Sequence, residues 1–331
     1  MDGFEVGCRV KDNDGFRATV RYIGPVAAAK NKAENWLGVE WDSAGRGKHN
    51  GSCVDSEGVL HQYFECGEGM GSFVKGNKVT NGRSFVDALK ERYVKPDAPS
   101  ITTEQDPTLP DTYALTSKGE KKPIALLGEH RLRKWQQIET VEKVAVRSDT
   151  VSTIGDSVAD VAGHLIEIDL QDNLIYQWEE LANLTGAIPG LRTVLLHGNK
   201  MQKVSSTVLS KLSLNATCFS GLRALALNAC NIKSWAELQS LESFMPQLEE
   251  IYLSKNEFRD LPRAVATAMY IDSVGGNTSV FTSTTDTAGN TGNTEGANEE
   301  ANVTKSQSEF APEGTWTCLR ILDISGCELD E

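Results

Sequence analysis

Gly45-Arg46-Gly47-Lys48-His49-Asn50-Gly51 sets three glycines in seven residues among side chains that cannot fill a core. Glycine tolerates positive φ and close backbone approach, so the stretch is expected to fold as a tight loop that turns Lys48, His49 and Asn50 outward as hydrogen-bond donors. Donors of that kind suit an acidic ligand. A nucleotide-phosphate loop would read Gly-x-x-x-x-Gly-Lys-Ser/Thr and lead into a helix. Here His49 and Asn50 follow Lys48, and strand-and-turn sequence follows them. The ligand expected is therefore the acidic end of a peptide.

Outward from the loop, Trp36-Leu37-Gly38-Val39-Glu40-Trp41-Asp42 lies on one side; Tyr63-Phe64-Glu65-Cys66 and Gly71-Ser72-Phe73-Val74-Lys75 lie on the other. Residues 4–24 alternate through apolar Val6, Val10, Ala18, Val20 and Tyr22, with a turn signal at Asp12-Asn13-Asp14-Gly15. Several short strands with frequent glycine turns predict a small all-β barrel. In their order and spacing the Trp-x-Gly-Val, Gly-Lys-x-x-Gly, Tyr-Phe-x-Cys and Gly-x-Phe-Val-Lys blocks resemble the CAP-Gly domain family, an SH3-like barrel module of cytoskeleton-associated proteins. The resemblance runs from about residue 7 to residue 79. The family's usual loop reads Gly-Lys-Asn-Asp-Gly, so His49 and Asn50 depart from it, as does Gly76 where proline is frequent.

At 331 residues the chain exceeds one small barrel. Its 39% hydrophobic and 24% charged residues describe a globular protein. No apolar run is long enough to span a bilayer, and the opening Met-Asp-Gly-Phe-Glu-Val has neither a basic start nor an apolar stretch. No membrane partner and a cytoplasmic location follow as expectations. Seven cysteines with no Cys-x-x-Cys pair predict reduced thiols and no metal site. Residues 1–96 carry 14 Lys+Arg against 13 Asp+Glu, whereas residues 97–331 carry 19 against 33. The acidic remainder argues against nucleic acid as the main partner, because phosphate binding needs a basic footprint.

Residues 84–94 read as a short amphipathic helix, with Ser84 as N-cap, Asp87 three residues on, and Phe85, Ala88, Leu89 and Arg92 on one face. Pro96, Pro99, Pro107 and Pro110 then mark a linker. Beyond residue 140 a leucine-rich template recurs. It fits Leu165-Ile168-Leu170-Asn173-Ile175, Leu191-Val194-Leu196-Asn199-Met201, Leu222-Leu225-Leu227-Cys230-Ile232 and Leu248-Ile251-Leu253-Asn256-Phe258. A fifth match is Leu319-Leu322-Ile324-Cys327-Leu329, and a degenerate one is Val141-Val144-Val146-Asp149-Val151. The segments holding Trp178 and Trp235 have helical spacing and are expected on the convex side of a solenoid. Residues 272–312, rich in Gly, Asn, Thr, Ser and Glu, read as a disordered insertion.

The expected organisation is a CAP-Gly barrel with its trailing helix (1–96), a linker (97–137), an α/β leucine-rich-repeat solenoid (138–271), the insertion (272–312), and a further repeat (313–331) that looks truncated. The whole resembles the tubulin-folding cofactor E family of tubulin-specific chaperones, which also has a ubiquitin-like domain that this sequence does not show. That resemblance implies α-tubulin and α/β-tubulin as partners, with the other tubulin-folding cofactors, in the cytoplasm at the cytoskeleton. It implies that the glycine loop and an aromatic groove take the C-terminal Glu-Glu-Tyr/Phe of α-tubulin or end-binding proteins. The site residues expected are Trp36, Trp41, Gly47, Lys48, His49, Asn50, Gly51, Phe73 and Lys75. No catalytic constellation and no cofactor site are apparent among the five histidines or the acidic residues. A plus-end adaptor and a repeat scaffold without chaperone activity are the competing readings.

Overall fold

The structure, a computed structural model, describes residues 3–31, 33–93, 113–115, 121–123, 138, 141–215, 217–258, 319, 321–324 and 327. The expected insertion lies outside the described residues. So does the expected linker, apart from a hairpin introduced below.

Alternation of apolar residues builds the N-terminal unit. Strands β1 (Arg9–Asp12), β2 (Arg17–Pro25) and β3 (Asn35–Trp41) are followed by a separate hairpin of β4 (Ser52–Val54) and β5 (Leu60–Gln62), then by β6 (Gly71–Val74) and β7 (Val79–Thr80). Five of them form an antiparallel sheet in the order β6-β3-β2-β1-β7. Every second side chain points inward, so Val10, Ala18, Val20, Leu37, Val39 and Trp41 pack with Cys8 and Val79 into one small core. The expected all-β unit is present, and among the described residues its two edge strands, β6 and β7, do not pair with each other, which leaves a gap between them. A 3-10 turn at Gly76–Lys78 carries the chain across that gap.

After β8 (Arg83–Ser84) comes helix α1 (Phe85–Tyr93), capped by Ser84, whose Oγ accepts from the Asp87 amide at 3.0 Å. Strands β9 (Tyr113–Leu115) and β10 (Lys121–Pro123) form an isolated hairpin. The repeats follow: β11 (Lys143–Ala145), β12 (Val151–Thr153), α2 (Val158–Ala162), β13 (Glu167–Asp169), α3 (Trp178–Ala187), β14 (Thr193–Leu195), α4 (Ser206–Leu212), β15 (Ala224–Ala226), α5 (Trp235–Gln239), β16 (Glu250–Tyr252) and β17 (Ile321–Asp323). β11, β13, β14, β15, β16 and β17 form a six-stranded parallel sheet in sequence order. Its register aligns Val144, Ile168, Val194, Leu225, Ile251 and Leu322, the same template position of all six predicted repeats. The degenerate first match is thus a full repeat.

Turning away from each strand would orphan backbone groups, and the Asn of the template satisfies them. Asn173 Nδ2 donates to the Val146 and Leu170 carbonyls at 2.6 and 2.9 Å, and its Oδ1 accepts from the Asp149 and Val151 amides. Asn199 and Asn256 repeat the pattern one and three repeats on. Cys230 stands in the intervening repeat, and its thiol donates to the Leu196 carbonyl at 3.3 Å. Burial pushes that thiol up to about 12, so it stays protonated and able to donate.

The junction between the two units differs from the expectation. Phe85, Val86, Ala88 and Leu89 of α1 belong to the core of the repeats, not to that of the N-terminal sheet. β8 pairs in parallel with β12 of the first repeat, and the Val86 amide donates to the Ile154 carbonyl. A solenoid has to cover the apolar face of its first repeat, and α1 supplies that cover. Polar contacts reinforce the junction. Arg17 binds Asp172 at 2.9 Å and the Gly198 carbonyl at 3.0 Å; Lys200 reaches Asp42 at 3.2 Å; Tyr176 donates its hydroxyl to Glu5. Burial alone would raise the Asp42 pKa, but buried Arg9, bonded to it at 2.9 Å, and Lys200 together hold it below the usual carboxylate range.

Candidate functional site

The two expected tryptophans part company because they are five residues apart on one strand. Period-two alternation sends Leu37, Val39 and Trp41 inward and Trp36, Gly38 and Glu40 to the opposite face of β3. Trp41, only 3% exposed, is a core residue and is removed from the expected site. Trp36 remains half-buried on the outer face. β6 pairs with β3 so that Phe73 lies across from Gly38, which puts Phe73 on the same outer face. Lys75 follows beyond the last pair, its ammonium 5.3 Å from the centre of the Trp36 ring and 2.8 Å from Glu34.

Aromatic rings converge there. Phe73 meets Tyr63 edge-on at 5.2 Å and Phe64 at 5.8 Å, and Tyr22 meets Tyr63 at 5.0 Å. The His49 ring stacks on Phe73 at 4.8 Å, and its Nδ1 accepts from the Gly51 amide at 3.0 Å. Burial lowers the His49 pKa. The ring is therefore a neutral wall element with its proton on Nε2, rather than the freely outward donor expected. Tyr22 and Phe64 are not anticipated from sequence: Tyr22 shares the parity of core Ala18 and Val20, and a register shift between Val20 and Tyr22 changes its face, while Phe64 lies beyond the end of β5.

The glycine loop is fixed by its backbone. The Lys48 and His49 amides both donate to the Gly71 carbonyl, and the Gly71 amide donates back to His49. Gly51 has φ +100°, and a Cβ there would fall 2.0 Å from the Phe64 carbonyl oxygen; at Gly47 one would fall 2.3 Å from the Met70 carbonyl carbon. Both positions therefore admit glycine alone. Asn50 Oδ1 accepts from Ser52 Oγ at 2.8 Å, which makes Asn50 a bracket between loop and hairpin. Lys48 is exposed and makes no ion pair with any described residue. Lys48 directly precedes His49, whose ring stacks on Phe73, and an ammonium without an ion pair among the described residues is chemically suited to a carboxylate attached to an apolar or aromatic residue.

The β4–β5 hairpin springs directly from this loop. Asp55 organises its turn, accepting from the Glu57 and Val59 amides at 2.9 Å and from His61 Nε2 at 2.8 Å. The His61 bond first, then the Val59 amide, lowers the Asp55 pKa to about 2. A depressed carboxylate stabilises above its unfolded range near about pH 4 and loses that effect as pH falls through its folded value. The amide NMR shifts of Glu57 and Val59 are accordingly expected to titrate near pH 2 rather than near pH 4; a midpoint at the ordinary carboxylate value would show that the turn does not depend on ionised Asp55.

Comparison with known proteins agrees with this geometry. Residues 6–79 match the family model described as the CAP-Gly domain. The chain is 34% identical over 255 residues to the tubulin-specific chaperone E of Homo sapiens, and 33% identical over 253 residues to that of Danio rerio. It is 31% identical over 261 residues to the tubulin-folding cofactor E of Arabidopsis thaliana. These alignments cover 76%, 76% and 77% of this chain but only 44%, 44% and 45% of the relatives, so the chain spans less than half their length. An internalin C2 of Listeria monocytogenes overlaps 54% of this chain and 57% of its own at 15% identity and a TM-score of 0.30. Among the described residues no helix is long and apolar enough to cross a membrane. The chain is a CAP-Gly protein, continued by leucine-rich repeats, and a homologue of tubulin-specific chaperone E over three quarters of its length.

Proposed function

We propose that this protein is a tubulin-folding cofactor that holds the acidic C-terminal tail of α-tubulin in its CAP-Gly unit and the tubulin body on its repeats. The observation that carries the reading is exposed Lys48, without an ion pair among the described residues and next in sequence to His49, whose ring stacks on Phe73 in the Tyr63–Phe73 cluster, in a homologue of tubulin-specific chaperones. In this reading Lys48 meets the tail carboxylates, Lys75 can exchange its exposed Glu34 partner for one of them, and the aromatic face receives the terminal ring. Gly47 and Gly51 hold the loop, His49 walls the groove, and Asn50 anchors the loop to the hairpin. The partners are α-tubulin, the α/β heterodimer and the other tubulin-folding cofactors, in the cytoplasm.

The junction favours a chaperone over a flexible tether. α1 and the Arg17, Asp42 and Tyr176 contacts join the two units, so a tail and a body would be gripped in fixed relation. Two modest contacts so joined reinforce each other through effective concentration. Size-exclusion chromatography of the chain with soluble α/β-tubulin tests this reading. A complex containing α-tubulin with β-tubulin left behind is expected, and Lys48→Ala should weaken it. Binding to polymer alone would make the protein an adaptor instead.

A further inference from the structure

Five residues after the template's Asn/Cys position, each repeat buries one apolar side chain. That row reads Ile154, Trp178, Val204 and Trp235. The ladder residues Asp149, Asn173, Asn199 and Cys230 fix the equivalence. Valine thus stands between two tryptophans, and the space an indole fills in the neighbouring repeats is left partly empty. A cavity of about 440 Å³ opens at that place, its apolar wall made by Trp178, Met201, Val204, Ile232 and Leu238 and the rest of its lining polar, with Glu237 beside Lys203 and Lys233. Four of these five are buried, so the floor is part of the core and preformed.

Two lysines line the mouth. Lys203 and Lys233 belong to a region of the chain that is otherwise acidic. Each makes a surface ion pair at 3.0 Å, with Glu237 and Glu257, and Lys203 is 78% exposed. Exposed pairs of this kind are weak and exchange readily for a better carboxylate. Gln202, which lines the hollow, donates its amide to the carbonyl of Tyr176, and Tyr176 and Lys200 bind the CAP-Gly unit. An apolar floor under two lysines whose partners, Glu237 and Glu257, can be exchanged matches an aromatic side chain flanked by acidic residues.

From this row we infer a second peptide site, separate from the glycine-loop groove, in which the Val204 hollow takes an aromatic side chain from an acidic segment of a partner protein. Lys203 and Lys233 bind the flanking carboxylates. The site does not need a free chain end, since no carboxylate-capturing loop lines it.

The test is calorimetric titration of the full chain with acetyl-Glu-Glu-Phe-Glu-Glu-amide, whose blocked end removes the terminal carboxylate that the groove is proposed to use. Val204→Trp fills the hollow with the residue its neighbours already carry, so the fold should persist, as thermal unfolding would record. The expected result is binding by the unaltered chain, a loss of about tenfold or more in Val204→Trp as the ring loses its apolar cavity, and no change in Lys48→Ala. Lys203→Glu with Lys233→Glu should abolish binding with the cavity still open, and decides the matter if Val204→Trp disturbs folding. Lack of binding by the full chain, binding that survives both alterations, or binding that is lost in Lys48→Ala would overturn the proposal. The last outcome would assign the peptide to the groove and leave the tail-binding reading standing.

Discussion

Phe85→Ala should destabilise the repeats, not the sheet that precedes them in sequence, by about 3–5 kcal/mol. Phe85 is fully buried and packs in the cluster that runs through Ile154, Leu165 and Leu170. Removing its ring leaves a cavity under the first repeat, where no earlier repeat can close over it. Urea unfolding followed by the fluorescence of Trp178 and Trp235, both in the solenoid, reads the effect. A loss below about 1 kcal/mol would mean that α1 is an appendage of the N-terminal unit and not the solenoid's cover.

The second large effect is expected at Asn173. Its carboxamide links two repeats by donating to Val146 and Leu170 and accepting from Asp149 and Val151, all at 2.6 to 3.0 Å. Asn173→Ala leaves buried donors and acceptors without partners, at a combined cost of about 3–5 kcal/mol. Asn173→Cys should cost less, because Cys230 shows that a thiol in this row still reaches a carbonyl. Equal losses for the two substitutions would show that the ladder is merely a packing position.

These effects also mark what the sequence reveals and what it hides. The repeat strands were legible because each needs Leu, Ile or Val at fixed offsets to share a core, and Asn at another to satisfy a turning backbone. Trp41 belongs to the core and Trp36 to the outer face because strand parity outranks aromatic character: five apart, the two face opposite ways. His49 was expected to point outward because its chemistry permits donation; its stacking on Phe73 depends on β6, which pairing brings from beyond residue 70. The amphipathic face of α1 was readable, but not what it covers, since its pattern fits either neighbour.

The central claim is that the glycine loop and the outer aromatic face of β3 and β6 form one site for an acidic tail. Calorimetric titration with a peptide ending Glu-Glu-Tyr tests it most directly, using the full chain, Lys48→Ala, and the same peptide without its tyrosine. Loss of a charge-assisted bond and of a buried ring should each weaken binding by about tenfold or more, while thermal unfolding of Lys48→Ala stays unchanged because Lys48 is exposed. An affinity indifferent to both Lys48 and the terminal tyrosine would contradict the account.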